Sequence, residues 1–220
     1  MVAALIDYLN NDFKPIDSND LIINTKVFFD EGNYSHFAVL ENNVYIGSIS
    51  ADDIENFDND KKVSDYKYNL EGFFVRNNNN WLDVLEVFAK NNSNIVPVLD
   101  ENNVYNGYYQ LEDVVKFFNE TPFLKEKGSV IVVEKGILDF TFGQIAQIIE
   151  SNNGKILGLF VSETSVSNVQ ITIKIAFGSI NQIIQTFRRY DYQIISNHQE
   201  DNYLSGLLER SEYLDKYLNI

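Results

Sequence analysis

Residues 94–118, NIVPVLDENNVYNGYYQLEDVVKFF, decide how this chain is read, because a weaker copy, SHFAVLENNVYIGSISADDIENF, stands at residues 35–57. In register, Val39 and Leu40 fall on Val98 and Leu99. After one residue missing at the turn, Asn42, Asn43, Val44, Tyr45 and Gly47 fall on Asn102, Asn103, Val104, Tyr105 and Gly107. Asp53 then falls on Asp113. Agreement at apolar and turn positions together is more than composition provides, and a period near sixty residues implies two similar units in tandem.

Working outward, each copy reads as two strands and a helix preceded by a strand and a helix. In the first unit the extended piece at Pro15 and Ile16 leads into Asp17-Ser18-Asn19-Asp20, a run of N-cap candidates, and then a helix to Glu31 stopped by Gly32. Strands over 36–40 and 44–49 flank an Asn-Asn turn, and a helix covers 51–57. An amphipathic helix at 2–9, with Leu5, Ile6 and Leu9 on one side, is expected to pack on this first unit. The polar stretch 58–62 reads as a surface linker. The second unit repeats the order, with a strand at 73–75, a helix at 81–90 and strands around a turn at 101–103. Gly107 then lies inside a strand, where a missing side chain marks close approach of something else.

Thr121-Pro122 closes the pair. Beyond it, strands at 130–133, 156–161 and 169–175, helices at 142–151 and up to 190, and a final strand at 193–196 give the order βαββαβ, an antiparallel sheet with two helices on one face. The fold class is therefore α+β, divided into units at 1–61, 62–122 and 127–198, with a leucine-bearing C-terminal helix at 203–220.

The chain has 220 residues, a formal charge of -15 and no cysteine. The charge repels nucleic acid and anionic membrane surfaces, and zero cysteines exclude disulfides, thiolate catalysis and cysteine zinc sites. No apolar run approaches the roughly 20 residues of a membrane span, and residues 1–9 have no basic start before the apolar ones, so a cytoplasmic address is expected.

The two copies resemble a tandem of CBS domains, the regulatory pair called a Bateman module. VPVLDENNVYNGYYQLEDVVKFF carries the resemblance in the second unit and FAVLENNVYIGSISADDIENF in the first. The third unit resembles an ACT-type domain in element order, and the whole is similar in arrangement to the acetoin-utilisation protein family. The resemblance implies a non-catalytic regulatory or sensor protein that binds an adenosyl ligand, an adenine nucleotide such as AMP or ATP, through Gly-x-x-Ser/Thr-x-x-Asp. Gly47, Ser50 and Asp53 stand at that spacing. An Asp accepts two hydrogen bonds from a vicinal diol, a Ser donates to phosphate, and a Gly admits a ring to the backbone. Helix capping by Ser50 and dipole compensation by Asp53 account for the same residues without a ligand. The second unit keeps Gly107 and Asp113 but has Gln110 at the hydroxyl position, and the first has Ala38 where the second has Pro97. The resemblance also implies a homodimer. The turn KGILDFTFG, 135–143, where ACT domains hold amino acids, lacks their Pro-Gly pair, which favours a dimerising role.

The remaining chemistry is sparse. His36 lies on a strand and His198 in a polar hinge, neither at metal-ligand spacing, so no metal site and no catalytic residue is expected. Trp81, Phe28, Phe29 and Phe88 read as core, and Arg188-Arg189 as complements to a helix dipole. The other open reading is a ligand-free dimerisation scaffold with both sites degenerate.

Overall fold

The structure, a computed structural model, describes residues 5–196. The proposed tail helix at 203–220 and His198 lie outside the described residues. The described residues divide into two compact units, with the boundary between Glu120 and Thr121.

The first unit contains the repeat. Strand β1 (Ile16–Asp17), helix α1 (Ile22–Glu31), strands β2 (His36–Glu41) and β3 (Val44–Ser50) and helix α2 (Ala51–Glu55) form the first copy. Strand β4 (Val75–Arg76), helix α3 (Trp81–Lys90), strands β5 (Ile95–Leu99) and β6 (Tyr105–Gln110) and helix α4 (Leu111–Asn119) form the second. The register repeats as well as the order. Ile16 pairs in parallel with Val39 as Val75 does with Val98, and each antiparallel pair carries a bulge at the same place, Val39/Leu40 and Val98/Leu99. Asn42 and Asn43 both take positive φ, 52° and 66°, and Asn103 takes 63°, so the turns use asparagine for the left-handed conformation that most residues resist.

Equivalent positions of the two copies meet each other. Val44 bridges Val104, and Ser35 N donates to Asn94 Oδ1 (2.8 Å) while Asn94 N donates to Ser35 Oγ (2.9 Å). These reciprocal pairs mark a local twofold axis between the copies. A unit of about 60 residues buries only about 60% of its unfolded surface, and the copies compensate by sharing their cores. Ile95 and Tyr108 of the second lie among Phe37, Val39, Ile49 and Ile54 of the first.

The leading segments are exchanged. Of the helix expected at 2–9, the described residues from Leu5 to Tyr8 form a 3-10 turn. Leu5 and Leu9 pack against the second copy's core, not the first's, and Asn10 pairs with Tyr108 on β6. The segment leading into the second copy does the reverse, Glu71 pairing with Ser48 on β3. Amphipathic periodicity shows that a face will be buried but not against which copy. The expected linker is also tighter than its polarity suggests: Leu21 bridges Lys62, and a 3-10 turn over Val63–Asn69 buries Val63 completely. Helix α1 begins at Ile22 without a side-chain cap, since Asp17 and Asp20 instead close the preceding turn onto backbone N–H groups of Asn19 and Asp17.

The second compact unit opens with Pro122 at the first position of the short helix α5 (Pro122–Lys125), where its missing N–H costs nothing. Strand β7 (Ser129–Gly136), helix α6 (Phe142–Ser151), strands β8 (Lys155–Thr164) and β9 (Asn168–Ala176), helix α7 (Ile180–Arg189) and strand β10 (Gln193–Ile194) follow, and the sheet order is β10-β7-β9-β8. This is the expected ferredoxin-like βαββαβ arrangement, and the α+β class holds throughout. Alternation places Ile131, Val133, Ile171, Ile173 and Ile175 against Ile145, Ile149, Ile183 and Phe187 of the two helices. Thr141 and Ser179 cap those helices by accepting from Gln144 N and Gln182 N.

Candidate functional site

The motif residues Ser50 and Asp53 line a cleft of about 400 Å³ with Ser35, His36, Ala51, Asp52, Glu71, Asn91 and Asn92. Local sequence explains the motif's geometry. Ser50 ends β3 in extended conformation and its Oγ accepts from Asp53 N (3.0 Å), so it caps α2 and keeps its hydroxyl proton for another acceptor. Asp53 is half-buried on the first turn of α2, and among the described residues its carboxylate takes no hydrogen bond. The capping account of Ser50 is therefore met, while the Asp53 carboxylate is left over.

Glu71, Asn91 and Asn92 of the lining come from the second copy. Glu71 arrives on the exchanged segment, where its N–H donates to Ser48 O and its own carbonyl accepts from Ser48 N, both at 2.8 Å. Tyr45 holds the same segment from below, donating to Phe73 O (2.7 Å). Burial pushes the Tyr45 phenol up to about 12, against the opposing hydrogen bonds to Ser48 and Phe73. His36 is buried, with Nε2 3.3 Å from Glu71 Oε1, Nδ1 3.0 Å from Ser35 Oγ, and its ring edge on Phe73. Beside this polar cleft, and sharing Ser35 and Asn92 with it, lies an apolar recess of about 550 Å³ lined by Leu85, Phe88, Ala89 and Leu111.

Gly47 does not open onto this cleft. Its φ is +143°, and a Cβ there would lie 2.8 Å from Leu70 Cβ and 3.2 Å from Glu71 O, so the close approach it permits is that of the protein's own exchanged segment. Gly107 repeats this with φ +145° and the Asn10 carbonyl against it.

The second copy has an equivalent cleft of about 670 Å³, formed by Phe13, Glu31, Gly32, Asn33, Tyr34, Asn94, Ile95, Gln110, Leu111, Glu112 and Val115. Gln110 takes the Ser50 place. Asp113 does not join it in the role expected of a diol-binding carboxylate: Asn10 Nδ2 donates to its Oδ2 (2.9 Å) and Lys116 Nζ to its Oδ1 (3.2 Å). In the third unit, Lys135 donates to Tyr190 O (2.9 Å) and Gln144 Oε1 (3.2 Å) and lies over the Tyr192 ring, tying the 135–143 turn to its own helices. No group of three or more His, Cys, Asp or Glu suited to a metal ion occurs among the described residues, and none of their helices is long and apolar enough to cross a membrane.

No protein-family model and no curated protein matches the chain. Solved structures do. A Thermotoga maritima protein described as a CBS domain pair/ACT domain protein is 18% identical, over 53% of this chain and 96% of its own, with a TM-score of 0.48. The CBS domains of a Streptococcus pneumoniae transcriptional regulator are 15% identical, over 53% of this chain and 99% of theirs, with a TM-score of 0.46. The CBS domain of a bacterial CNNM/CorC family Mg2+ transporter, solved in complex with ATP, is 16% identical over 50% of this chain and 83% of its own, with a TM-score of 0.42. At such identities and scores the fold and the site rest on the geometry above.

The sequence pointed to Ser50 and Asp53 but passed over Ser35, Glu71, Asn91 and Asn92 and gave His36 no metal or catalytic role. Nothing local distinguishes Glu71 from other surface carboxylates; only the segment exchange brings it to β3.

Proposed function

We propose that this is a regulatory or sensor protein whose first repeat copy binds an adenosyl ligand at Ser50 and Asp53. The observation that carries the reading is the Asp53 carboxylate, free of hydrogen-bond partners among the described residues, in a polar cleft that shares Ser35 and Asn92 with an apolar recess. A flat base suits the recess, a vicinal diol suits the carboxylate, and the unspent Ser50 hydroxyl proton suits an acceptor on the ligand. Both copies build the cleft, so a ligand there favours one packing of the pair over others, which is the physical content of a sensor. The lining contributes Asp52, Asp53 and Glu71 against His36. That balance ranks adenosine and the sulfonium of S-adenosylmethionine ahead of AMP, ADP and ATP.

Calorimetry and thermal shift with those five ligands test the reading. A ligand at 100 times its dissociation constant stabilises by about 2.7 kcal/mol, so absence of any shift with all five removes it. A second reading, a ligand-free scaffold, is favoured at the second copy, where Asp113 is already engaged by Asn10 and Lys116.

The protein is also proposed to be a homodimer. Val130 and Phe160, on the sheet face away from α6 and α7, are 47% and 50% exposed. Light scattering that finds a monomer at every accessible concentration refutes this.

A further inference from the structure

The two clefts are joined by a chain of hydrogen bonds. Glu71 meets His36 Nε2 (3.3 Å), His36 Nδ1 meets Ser35 Oγ (3.0 Å), Ser35 Oγ meets Asn94 Oδ1 (3.0 Å), and Asn94 Nδ2 donates to Asn33 O (2.7 Å). Glu71, His36 and Ser35 line the first cleft, and Asn94 and Asn33 line the second.

With Glu71 ionised, His36 Nε2 carries a proton toward it and two arrangements of the chain follow; a longer contact from Ser35 Oγ to Ser93 Oγ (3.4 Å) runs beside them. The Asn94 amide has one orientation, because Oδ1 accepts from Ser35 N and Nδ2 donates to Asn33 O. Ser35 Oγ already accepts from Asn94 N and owns a single proton. When the His36 ring is neutral with its proton on Nε2 toward Glu71, Nδ1 is an acceptor and the Ser35 hydroxyl donates to it. The 3.0 Å contact from Ser35 Oγ to Asn94 Oδ1 then holds no proton. When the ring is cationic, Nδ1–H donates to Ser35 Oγ and the hydroxyl turns to Asn94 Oδ1. Asn94 is then held by the hydroxyl and by Ser35 N together.

We propose that His36 is a positioning residue that couples the two clefts: a proton taken up on its ring passes the Ser35 hydroxyl from His36 to Asn94. The charged groups that line the cleft with the ring are carboxylates, Glu71 from the exchanged segment, 3.3 Å from Nε2, and Asp52 and Asp53 from α2, and Phe73 packs against the ring in a T-shaped contact. A ligand in the first cleft that adds or removes charge beside His36 is thereby felt at Asn94 in the second. The relay extends the ligand reading given above, but its test uses the protein alone, so the two can fail separately.

The chain has 2 histidines, so His198→Gln leaves one imidazole to follow by ring nitrogen NMR. In that protein, titrated over about pH 5 to 8, the Ser35 and Asn94 amide resonances are expected to shift with the same midpoint as the His36 ring. In Ser35→Ala the ring still titrates and the Asn94 resonances no longer follow it. In His36→Gln, which has the polar reach but takes no proton, Asn94 stays flat. An Asn94 signal that is flat while the ring titrates overturns the proposal. So does one that still follows the ring in Ser35→Ala, or a ring that keeps one protonation state across the range.

Discussion

At the scale of single residues, the repeat makes pairs of equivalent side chains with different work. Asp53 and Asp113 occupy one motif position, yet among the described residues one carboxylate takes no hydrogen bond and the other holds Asn10 and Lys116. Asp113→Asn is therefore expected to cost about 1–2 kcal/mol in urea unfolding, the loss of charge-assisted hydrogen bonds. Asp53→Asn is expected to cost no more than about 0.5 kcal/mol, its share of the α2 dipole, while abolishing the ligand-induced thermal shift. Equal costs would contradict the division of labour. Tyr45 and Tyr105 form another such pair. The Tyr45 hydroxyl donates to Phe73 O, whereas the Tyr105 hydroxyl is buried without a hydrogen-bond partner. Tyr105→Phe is thus expected to be neutral or stabilising by up to about 1 kcal/mol, and Tyr45→Phe destabilising by a similar amount.

The same phenols set the alkaline limit. Burial raises Tyr45 to about 12 and raises Tyr105 and Tyr108 further. The unfolded chain ionises its tyrosines near pH 10, so above that pH it binds fewer protons than the folded protein and stability falls with rising pH. The contribution is complete below about pH 10 and is lost as pH climbs toward the folded values. Urea midpoints measured at rising pH should drop in this window, with ultraviolet absorbance showing the buried phenolates emerging only on unfolding. Ionisation of all tyrosines near the ordinary value in the folded protein would contradict it.

At the scale of elements, the glycines carry the exchange. Gly107→Ala would place a methyl group against the Asn10 carbonyl at a φ of +145°, and Gly47→Ala would press on Leu70 at +143°. Each is expected to destabilise by roughly 1–3 kcal/mol. Hydrogen exchange should show Gly107→Ala loosening β6 and α4, where the N-terminal segment docks, before α1 or β2. Protection lost first in the first copy would refute the exchanged packing. The strands, the Asn turns and α3 were legible because Val, Ile and Asn state local preferences. The partner of the Leu5 and Leu9 face was not, because both copies offer apolar edges that periodicity cannot rank. The buried Val63 turn was hidden for a related reason: its neighbours are polar, and it is folded inward by the Leu21 to Lys62 bridge and by Val63 N and Ser64 N donating to Asp20 O and Ser18 O.

At the scale of the whole molecule, a formal charge of -15 on 220 residues favours expansion through self-repulsion. Screening with about 0.1 M salt, where the Debye length is about 10 Å, should raise the melting temperature by roughly 2–4 °C for each kcal/mol gained in a chain of this size. Calorimetric scans at low and moderate ionic strength measure this, and a melting point that falls with salt would show that the ion pairs outweigh the net repulsion. Two of the described ion pairs, Lys67 with Glu41 and Lys90 with Glu86, are exposed, so they are expected to contribute little.

The sequence by itself determined the repeat, the strand and helix order of all three units, the asparagine turns and the Ser50-Asp53 pair, since each is written in periodicity or at fixed spacing within a few residues. Only the tertiary structure decided which copy each leading segment joins, that Asp113 is a tether while Asp53 takes no hydrogen bond among the described residues, and that His36 stands between Glu71 and Ser35. Those outcomes depend on contacts between residues tens of positions apart, and a carboxylate or an imidazole has the same local preferences whether its partner is solvent, a ligand or the other half of a repeat.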